Sequence, residues 1–440
     1  MRVFLFISCY GISWPMAQRC VEEGHRAILY INEKDCRRIA NGLVEKHECK
    51  EVLVDEEGNL DTSVLNSLLK PAPDCIVFDM VNYGYGKAAD MLRKKGYPVI
   101  GGSEWQDKVE LDRLYGAKVM KTLGIKTPET IAFTDYDKAI KFVEAQQKIY
   151  VFKPCGNQGN MTTYVAQGPD DLIGMLEFYK TRVNEEFQLQ EKKDGVEISS
   201  EIWFNGKEVI NNNFTMEEKA LMEGNKGPKT GCMGSVVWSG NKECKLYKEG
   251  VGRLVPLLRK IKYIGCIDLN AIVDADTVWG LEFTARFGYD AIYIFMEMMK
   301  GKINDLLYGV ATGVTRNIDF RSSVGMGVLL AVPPYPDNDG NLELYRDVLI
   351  QGLNPQILKH FWGDDIYFKD NRYLVSGNGG RIATITARGD DVAGYSPIRD
   401  AKRRVYRTIS NIIIPDVMYR SDIGDRVQGD KDKLKSWGWI

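Results

Sequence analysis

The sequence predicts a mixed fold, α/β at its amino terminus and α+β beyond it. Three observations carry that reading. Residues 1–105 alternate short apolar runs with helical patterns, long strand-like pairs joined by tight turns fill the middle, and strands dominate after residue 321. A chain of 440 residues suits about three domains and a large core that needs no disulfide or metal staple. The division read from the patterning is 1–105, 106–325 and 326–440.

The elements follow in order. Residues 3–7, 27–31, 75–79 and 99–100 are apolar runs of strand length, and 16–23, 60–69 and 87–95 space their apolar residues by three and four. Such alternation predicts a parallel sheet with helices on its faces. Ligands of such sheets bind beyond the carboxyl ends of the strands, which points to the turns at 8–15 and 80–86. Residues 109–123 read as one helix ended by Gly124, and Thr127-Pro128 opens the next unit. Residues 130–204 read strand, helix, strand, loop, strand, helix, strand, strand. A glycine-dense loop at 223–235 lies among further strands, and helices follow around 293–308. Strands at 326–332, 365–369, 372–375 and 381–388 precede a last helix at 398–412.

Composition excludes several function classes. Lys+Arg is 58 against 60 Asp+Glu, a net charge of -2, which argues against a bulk grip on nucleic acid or an anionic membrane. No apolar run approaches the ~18 residues that span a bilayer, and residues 3–7 read as a first strand rather than a signal peptide. Nine cysteines without a C-x-x-C pair suit reduced thiols in the cytoplasm. The three histidines lie near no cysteine pair, so zinc is not expected.

Four segments carry chemistry. Tyr150-Val-Phe-Lys153 delivers a lysine into P-C-G-N-Q-G-N, where Gly156 and Gly159 let backbone N–H groups approach phosphate oxygens. The segment from Phe187 to Glu197 can present backbone groups to an adenine and an acid to a ribose; alone it reads equally as a hairpin with a D-G turn. Strands around Gly265-Cys-Ile-Asp268 and Gly280-Leu-Glu282-Phe-Thr284-Ala-Arg286 form an antiparallel pair, so Asp268 and Glu282 face one side. Like carboxylates there require a cation between them, and magnesium prefers such ligands completed by phosphate and water. A buried ion pair with Arg286 is the competing explanation. The loop K-G-P-K-T-G-C-M-G at 226–234 is either an anion-binding nest or a long turn.

Taken in order, these motifs resemble the ATP-grasp ligases, and within them glycinamide ribonucleotide synthetase (phosphoribosylamine–glycine ligase). G-P-K-T-G-C-M-G at 227–234 resembles that family's G-P-N-T-G-G-M-G, and E-F-T-A-R-F-G at 282–288 resembles its E-F-N-x-R-F-G-D-P-E. N-G-G-R at 378–381 matches, and R-S-D-I-G at 420–424 resembles the terminal R-x-D-I-G. The match runs from about residue 98 to 426. The resemblance implies an ATP-grasp fold with a mobile lid at about 127–200, a biotin-carboxylase-like parallel-sheet domain in front, which would be a substrate domain, and a β-rich domain behind. It implies a reaction in which ATP phosphorylates a carboxylate and an amine displaces the phosphate, with ATP and Mg2+ (or Mn2+) as cofactors. The partners would be a small carboxylate such as glycine and an amine, nucleotide-like among the options, with no nucleic acid or membrane and a monomer or homodimer as the assembly.

Carried over by position, Arg113 stands where the family has a phosphate lysine, and Lys153 matches the second one. Gly156 to Asn160 would cover the phosphates, Glu191, Lys192 and Lys193 would line adenine, and Glu197 would hold ribose. Glu282 matches the metal glutamate and Thr284 replaces the metal asparagine. Asp268 resembles the metal aspartate of D-alanine–D-alanine ligases. Arg286 would steady the acyl phosphate, and Lys219, Gly231, Gly234 and Arg381 would approach the substrates. Departures cluster on the acceptor side. S-C-Y-G-I-S-W-P, with Gly11, replaces a G-R-E-H turn; F-D-M-V-N-Y-G-Y-G at 78–86 replaces G-P-E; Tyr289 and Asp290 fall where D-P-E is expected. That clustering implies retained ligase chemistry with an altered amino acid or amine, possession of a purine-pathway role being the undiverged case. An ATP-binding sensor without turnover is the alternative.

Overall fold

The computed structural model describes residues 1–146, 148–154, 163–182, 186–337, 342–392 and 394–440. Gly156 and Gly159 therefore lie outside the described residues.

The amino-terminal sheet is parallel, with strands β1 (Val3–Ser8), β2 (Arg26–Ile31), β3 (Glu45–Lys46), β4 (Cys75–Phe78) and β5 (Val99–Ile100) in the order β3-β2-β1-β4-β5. Its central strands are buried nearly end to end because helices such as Trp14–Glu22 and Tyr85–Lys94 cover the faces. The carboxyl ends of β1 and β4 place Ser8 and Asp79 side by side. Gly11 N–H donates to Ser8 Oγ at 2.8 Å and Ser13 N–H to Asp79 Oδ2 at 3.2 Å.

The helix read over 109–123 is two helices, Glu104–Leu111 and Arg113–Thr122. Asp112 leaves the helical conformation (ψ 94°) and accepts from Tyr115 N–H at 2.9 Å, so it caps the second helix instead of continuing the first. The break turns Arg113 and Glu110 toward the strands behind them.

A separate sheet spans the segment expected to be the lid: β6 (Thr130–Phe133), β7 (Tyr150–Pro154), β8 (Tyr164–Val165) and β9 (Phe187–Glu191), ordered β6-β9-β7-β8. Its inner face stacks aromatic rings against two helices: Tyr136 and Phe187 centroids are 4.5 Å apart, Phe152 and Phe187 5.1 Å, Phe152 and Tyr179 5.4 Å. The strand period of two then sends Lys153, Gln188 and Gln190 to the opposite face.

The remaining strands are β10 (Val196–Asn205), β11 (Val209–Glu217), β12 (Ala220–Met222), β13 (Lys226–Lys229), β14 (Gly234–Ser239), β15 (Ile264–Val273), β16 (Val278–Thr284), β17 (Val324–Ala331), β18 (Leu349–Ile350), β19 (Phe361–Gly363), β20 (Ile366–Lys369), β21 (Arg372–Val375) and β22 (Arg381–Gly389). Eight of them form one antiparallel sheet, β16-β15-β10-β11-β14-β17-β22-β19. This sheet runs across the boundary drawn at 325/326, because β17 pairs with β14 from Gly234↔Val328 to Trp238↔Val324. The loop expected at 223–235 holds the hairpin of β12 with β13, and a helix the sequence pattern did not show, Val427–Ser436, ends the chain. That helix buries only Val427 and Leu434, too few apolar positions to mark a period.

Arg420 ties the carboxyl-terminal segment to this sheet. It is 2% exposed, donates twice to Asp422 at 2.7 Å, donates to the Ala220 carbonyl at 3.1 Å and to Asn225 Oδ1 at 2.9 Å, and faces buried Glu218 at 3.7 Å. Removing one partner from a buried ionic network is costly. Arg420→Ala is expected to lose about 3–5 kcal/mol in chemical denaturation; a loss within about 1 kcal/mol would contradict the clamp.

Candidate active site

One face of the large sheet carries polar residues in rows. Glu282 on β16 stands opposite Asn270 on β15, which stands opposite Ser199 on β10. One row deeper, Thr284 stands opposite Asp268, which stands opposite Glu201. The order depends on a bulge between Asn270 and Ala271. Asp268 and Glu282 do share the face, but diagonally, and Asn270 is the residue directly across from Glu282. Asn270 is held in place by Ser199 Oγ donating to its carbonyl at 2.7 Å, while its amide donates to Asp268 and Thr284 at 3.2 Å each.

The deeper row is not set up to remain fully charged. Burial pushes Glu201 up to about 7, and burial with Glu217 and Glu201 nearby pushes Asp268 well above the usual carboxylate range. Glu282 behaves oppositely. Enclosure would raise it, yet Lys153, Lys219 and Arg113 hold it below its ordinary value. Arg113 approaches Glu282 at 3.4 Å.

The cations converge from three directions. Lys153 comes from the lid strand β7 and is buried; desolvation pulls it down to about 8, with Arg113 and Lys219 adding to the drop and Glu282 opposing it. Lys219 follows β11 and lies 3.3 Å from both Glu197 and Glu217. Burial works against its charge, but Glu217, Glu197 and Glu282 outweigh burial and hold it well above the ordinary lysine value. Its carbonyl accepts from Thr230 N–H at 2.7 Å, which anchors the glycine-dense loop. Arg286 follows β16 and pairs with Glu110 at 3.1 Å, and Glu110 also accepts from Ala285 N–H at 2.6 Å.

A cavity of about 880 Å³ gathers Arg113, Lys153, Glu191, Lys192, Lys193, Glu197, Lys219, Gly231, Asn270, Glu282 and Arg381 on its walls. It adjoins a cavity of about 270 Å³ bounded by Asn82, Tyr83, Glu110, Thr284 and Arg286, with Arg113 and Glu282 shared by both. Glu191 pairs with Lys193 at 2.9 Å, and the Lys193 ammonium sits 4.2 Å from the Trp279 ring centroid. Lys192 N–H is engaged by the Ile149 carbonyl at 2.8 Å.

Other expected residues fall elsewhere. Gly234 is buried under β17; a Cβ there would lie 2.6 Å from the Gly327 carbonyl, so its role is close strand packing. Gly11 is buried in the amino-terminal domain with its N–H already committed to Ser8. Asp290 is fully buried, accepts from Thr384 Oγ at 2.9 Å and lies 3.6 Å from Arg381, whose Nε donates to Asp364 at 2.7 Å. Tyr289 donates to the Asp79 carbonyl at 3.2 Å. Asp290 and Tyr289 thus position the wall around Arg381. Asn270, Glu110 and Gln190 were not anticipated from the sequence. Asn270 lay in plain view two residues beyond Asp268, while Glu110 has no local signal because its partner is 176 residues away.

Among the described residues no group of three or more His, Cys, Asp or Glu side chains is arranged to hold a metal. The donor set suits magnesium nonetheless, since that ion takes one or two protein oxygens and leaves the rest to phosphates and water. Glu282, with the Asn270 carbonyl opposite, offers that pair. No helix among the described residues is long and apolar enough to cross a membrane.

Residues 112–291 match the family described as phosphoribosylglycinamide synthetase, ATP-grasp (A) domain. The chain is 24% identical over 358 residues to a phosphoribosylamine–glycine ligase of Halalkalibacterium halodurans, covering 78% of this chain and 80% of that one. The solved phosphoribosylamine–glycine ligase of Thermotoga maritima superposes with a TM-score of 0.65 at 19% identity, over 96% of this chain and 100% of its own. Biotin carboxylase of Campylobacter jejuni, solved as a β,γ-ATP complex, superposes with a TM-score of 0.63 at 12% identity, over 99% and 96% of the two chains. These findings support the ligase reading and not the sensor alternative. Residues 112–291 thus carry a phosphoribosylglycinamide synthetase-type ATP-grasp domain, and the chain as a whole is similar to phosphoribosylamine–glycine ligase.

Proposed function

We propose that this ligase joins a small amino-acid-like carboxylate to an amine through an acyl phosphate formed with ATP. The observation that carries the proposal is the convergence of Lys153, Arg113 and Lys219 on Glu282 in one cavity, with Arg286 in the adjoining one. Such chemistry needs charge neutralisation and positioning rather than a dedicated nucleophile. A carboxylate oxygen attacks the γ-phosphorus and ADP leaves. The amine nitrogen then attacks the acyl carbon, phosphate leaves, and the nitrogen gives up a proton.

In this reading Lys153 and Arg113 neutralise the triphosphate. Lys219 and Arg286 meet the negative charge that builds on the transferred phosphoryl group. The segment Glu191 to Lys193 lines adenine, chiefly by backbone, and Glu197 reaches the ribose. Glu282 and Asn270 would hold magnesium, which when bound would supply further charge neutralisation at the phosphates. Asp268 serves the site from below by fixing the Asn270 amide. The carboxylate sits beside Arg381 and Gly231, and the amine enters past Asn82 and Tyr83. Tyr83 is exposed on that wall and offers a ring face where the relatives' motif has G-P-E, so an amine other than phosphoribosylamine is expected to be preferred.

The direct test is release of ADP and phosphate with Mg-ATP, glycine and phosphoribosylamine, then with other amino acids and amines. Turnover with a different pair supports the proposal, and Glu282→Gln should lower it by about 10²–10³-fold with the fold intact. Turnover confined to glycine and phosphoribosylamine would overturn the altered-acceptor part. Lys153 gives a second test. A lysine held near 8 is charged at pH 7 and largely neutral at pH 9, while bound phosphates restore its charge. ATP affinity should therefore weaken by about tenfold between pH 7 and pH 9, and Lys153→Arg should flatten the profile. A flat wild-type profile in equilibrium binding would contradict the assignment.

A further inference from the structure

A second cavity, of about 320 Å³, lies between β22, the helix Ala291–Met298 and the helix Pro397–Ile409. It is lined by Arg388, Arg403, Arg404 and Arg407, with His360, Glu297 and the hydroxyls of Thr386 and Thr408. It shares no wall with the nucleotide cavity. Arg381 and Arg388 stand seven residues apart on β22, roughly 23 Å along the strand.

Internal carboxylates engage three of the four arginines and leave Arg407 without one among the described residues. Arg403 and Arg404 share the buried carboxylate of Asp400, each at 2.8 Å, and Arg404 also reaches Asp390 at 3.1 Å. Arg388 lies 3.6 Å from Glu297, whose other oxygen is already engaged by His360 at 3.1 Å and Thr386 at 3.2 Å. The Arg407 guanidinium has no partner among the described residues. It stands one helical turn from Arg403 on the same face, an arrangement of like charges that weakens a helix unless an anion lies between them. Guanidinium forks around a hole of this size match the oxygens of a phosphate group.

We propose that this cavity is an anion site for a phosphate-bearing small molecule, either a phosphate monoester or a diphosphate, separate from the site where ATP is consumed. Arg407 and Arg388 grip the phosphate from opposite walls, while the Thr386 and Thr408 hydroxyls are committed to Glu297 and to the Arg404 carbonyl. The two elements that line the cavity also reach the active site. The helix Ala291–Met298 begins at Asp290 and carries Glu297 near its end, while β22 begins at Arg381 and carries Arg388. At one end they are joined by Thr384 and Asp290, at the other by Thr386 and Glu297.

The test is calorimetric titration of pyrophosphate, and separately of AMP, into the full chain saturated with ADP. Lys153→Ala identifies any signal that comes from the nucleotide site. The site predicts binding that persists in Lys153→Ala and weakens by about tenfold or more in Arg407→Glu and in Arg388→Gln. ADP affinity should not change in Arg407→Glu. Arg407 is exposed and unpaired, so that variant keeps the test valid if Arg388→Gln does not fold. A preference for pyrophosphate or for AMP separates a diphosphate from a monoester ligand. Wild-type affinity in Arg407→Glu, loss of binding in Lys153→Ala, or no binding at millimolar ligand would each overturn the proposal.

Discussion

Charge balance on one face of the large sheet governs the rest of the molecule. Glu197 and Glu217 flank Lys219 at 3.3 Å, Arg113 leans on Glu282, and Glu110 holds Arg286. Buried ions of one sign require partners, and each partner here arrives on a different element. The lid brings Lys153, the helix Arg113–Thr122 brings Arg113, and the helix Glu104–Leu111 brings Glu110. The packing of the lid and of both helices against the sheet is therefore tied to the carboxylates around the two adjoining cavities. The deeper carboxylates, Asp268 and Glu201, meet the constraint differently, since burial favours their protonated forms.

This arrangement suits a reaction whose intermediates carry shifting negative charge. Lys219 and Arg286 are already oriented by carboxylates, so in the proposed reaction they would need little reorganisation to meet phosphate oxygens. The chain has no histidine in either cavity of the site, and none is required. The acceptor side is built from different material. Asp79, pushed up to about 6 by burial, occupies the turn after β1 through Ser13, and Tyr289 closes the gap to the ligase domain. Internal groups thus fill the position where a parallel sheet commonly receives an anion.

Much of this was legible in the sequence, for physical reasons that differ by region. The amino-terminal sheet was readable because strands covered on both faces leave unbroken apolar runs. Lys153, Glu282 and Arg286 were readable because a strand end and a period of two fix where their side chains point. Asn270 was missed because alternation gives the face of a residue but not its register, and here a bulge sets the register. Asp112 was missed because a capping aspartate between two helical stretches looks like any polar residue inside one helix. The terminal helix left no trace because its buried residues are too sparse. The eight-stranded sheet pairs strands roughly ninety residues apart in sequence, and no local pattern reveals that β14 and β17 are neighbours.

The most direct test of the account is a structure with magnesium and a non-hydrolysable ATP analogue. The account predicts a triphosphate lying between Lys153, Arg113 and Glu282, with Lys219 drawn from Glu197 toward the γ-phosphate. A triphosphate bound away from these residues, with Lys219 still between Glu197 and Glu217, would contradict it.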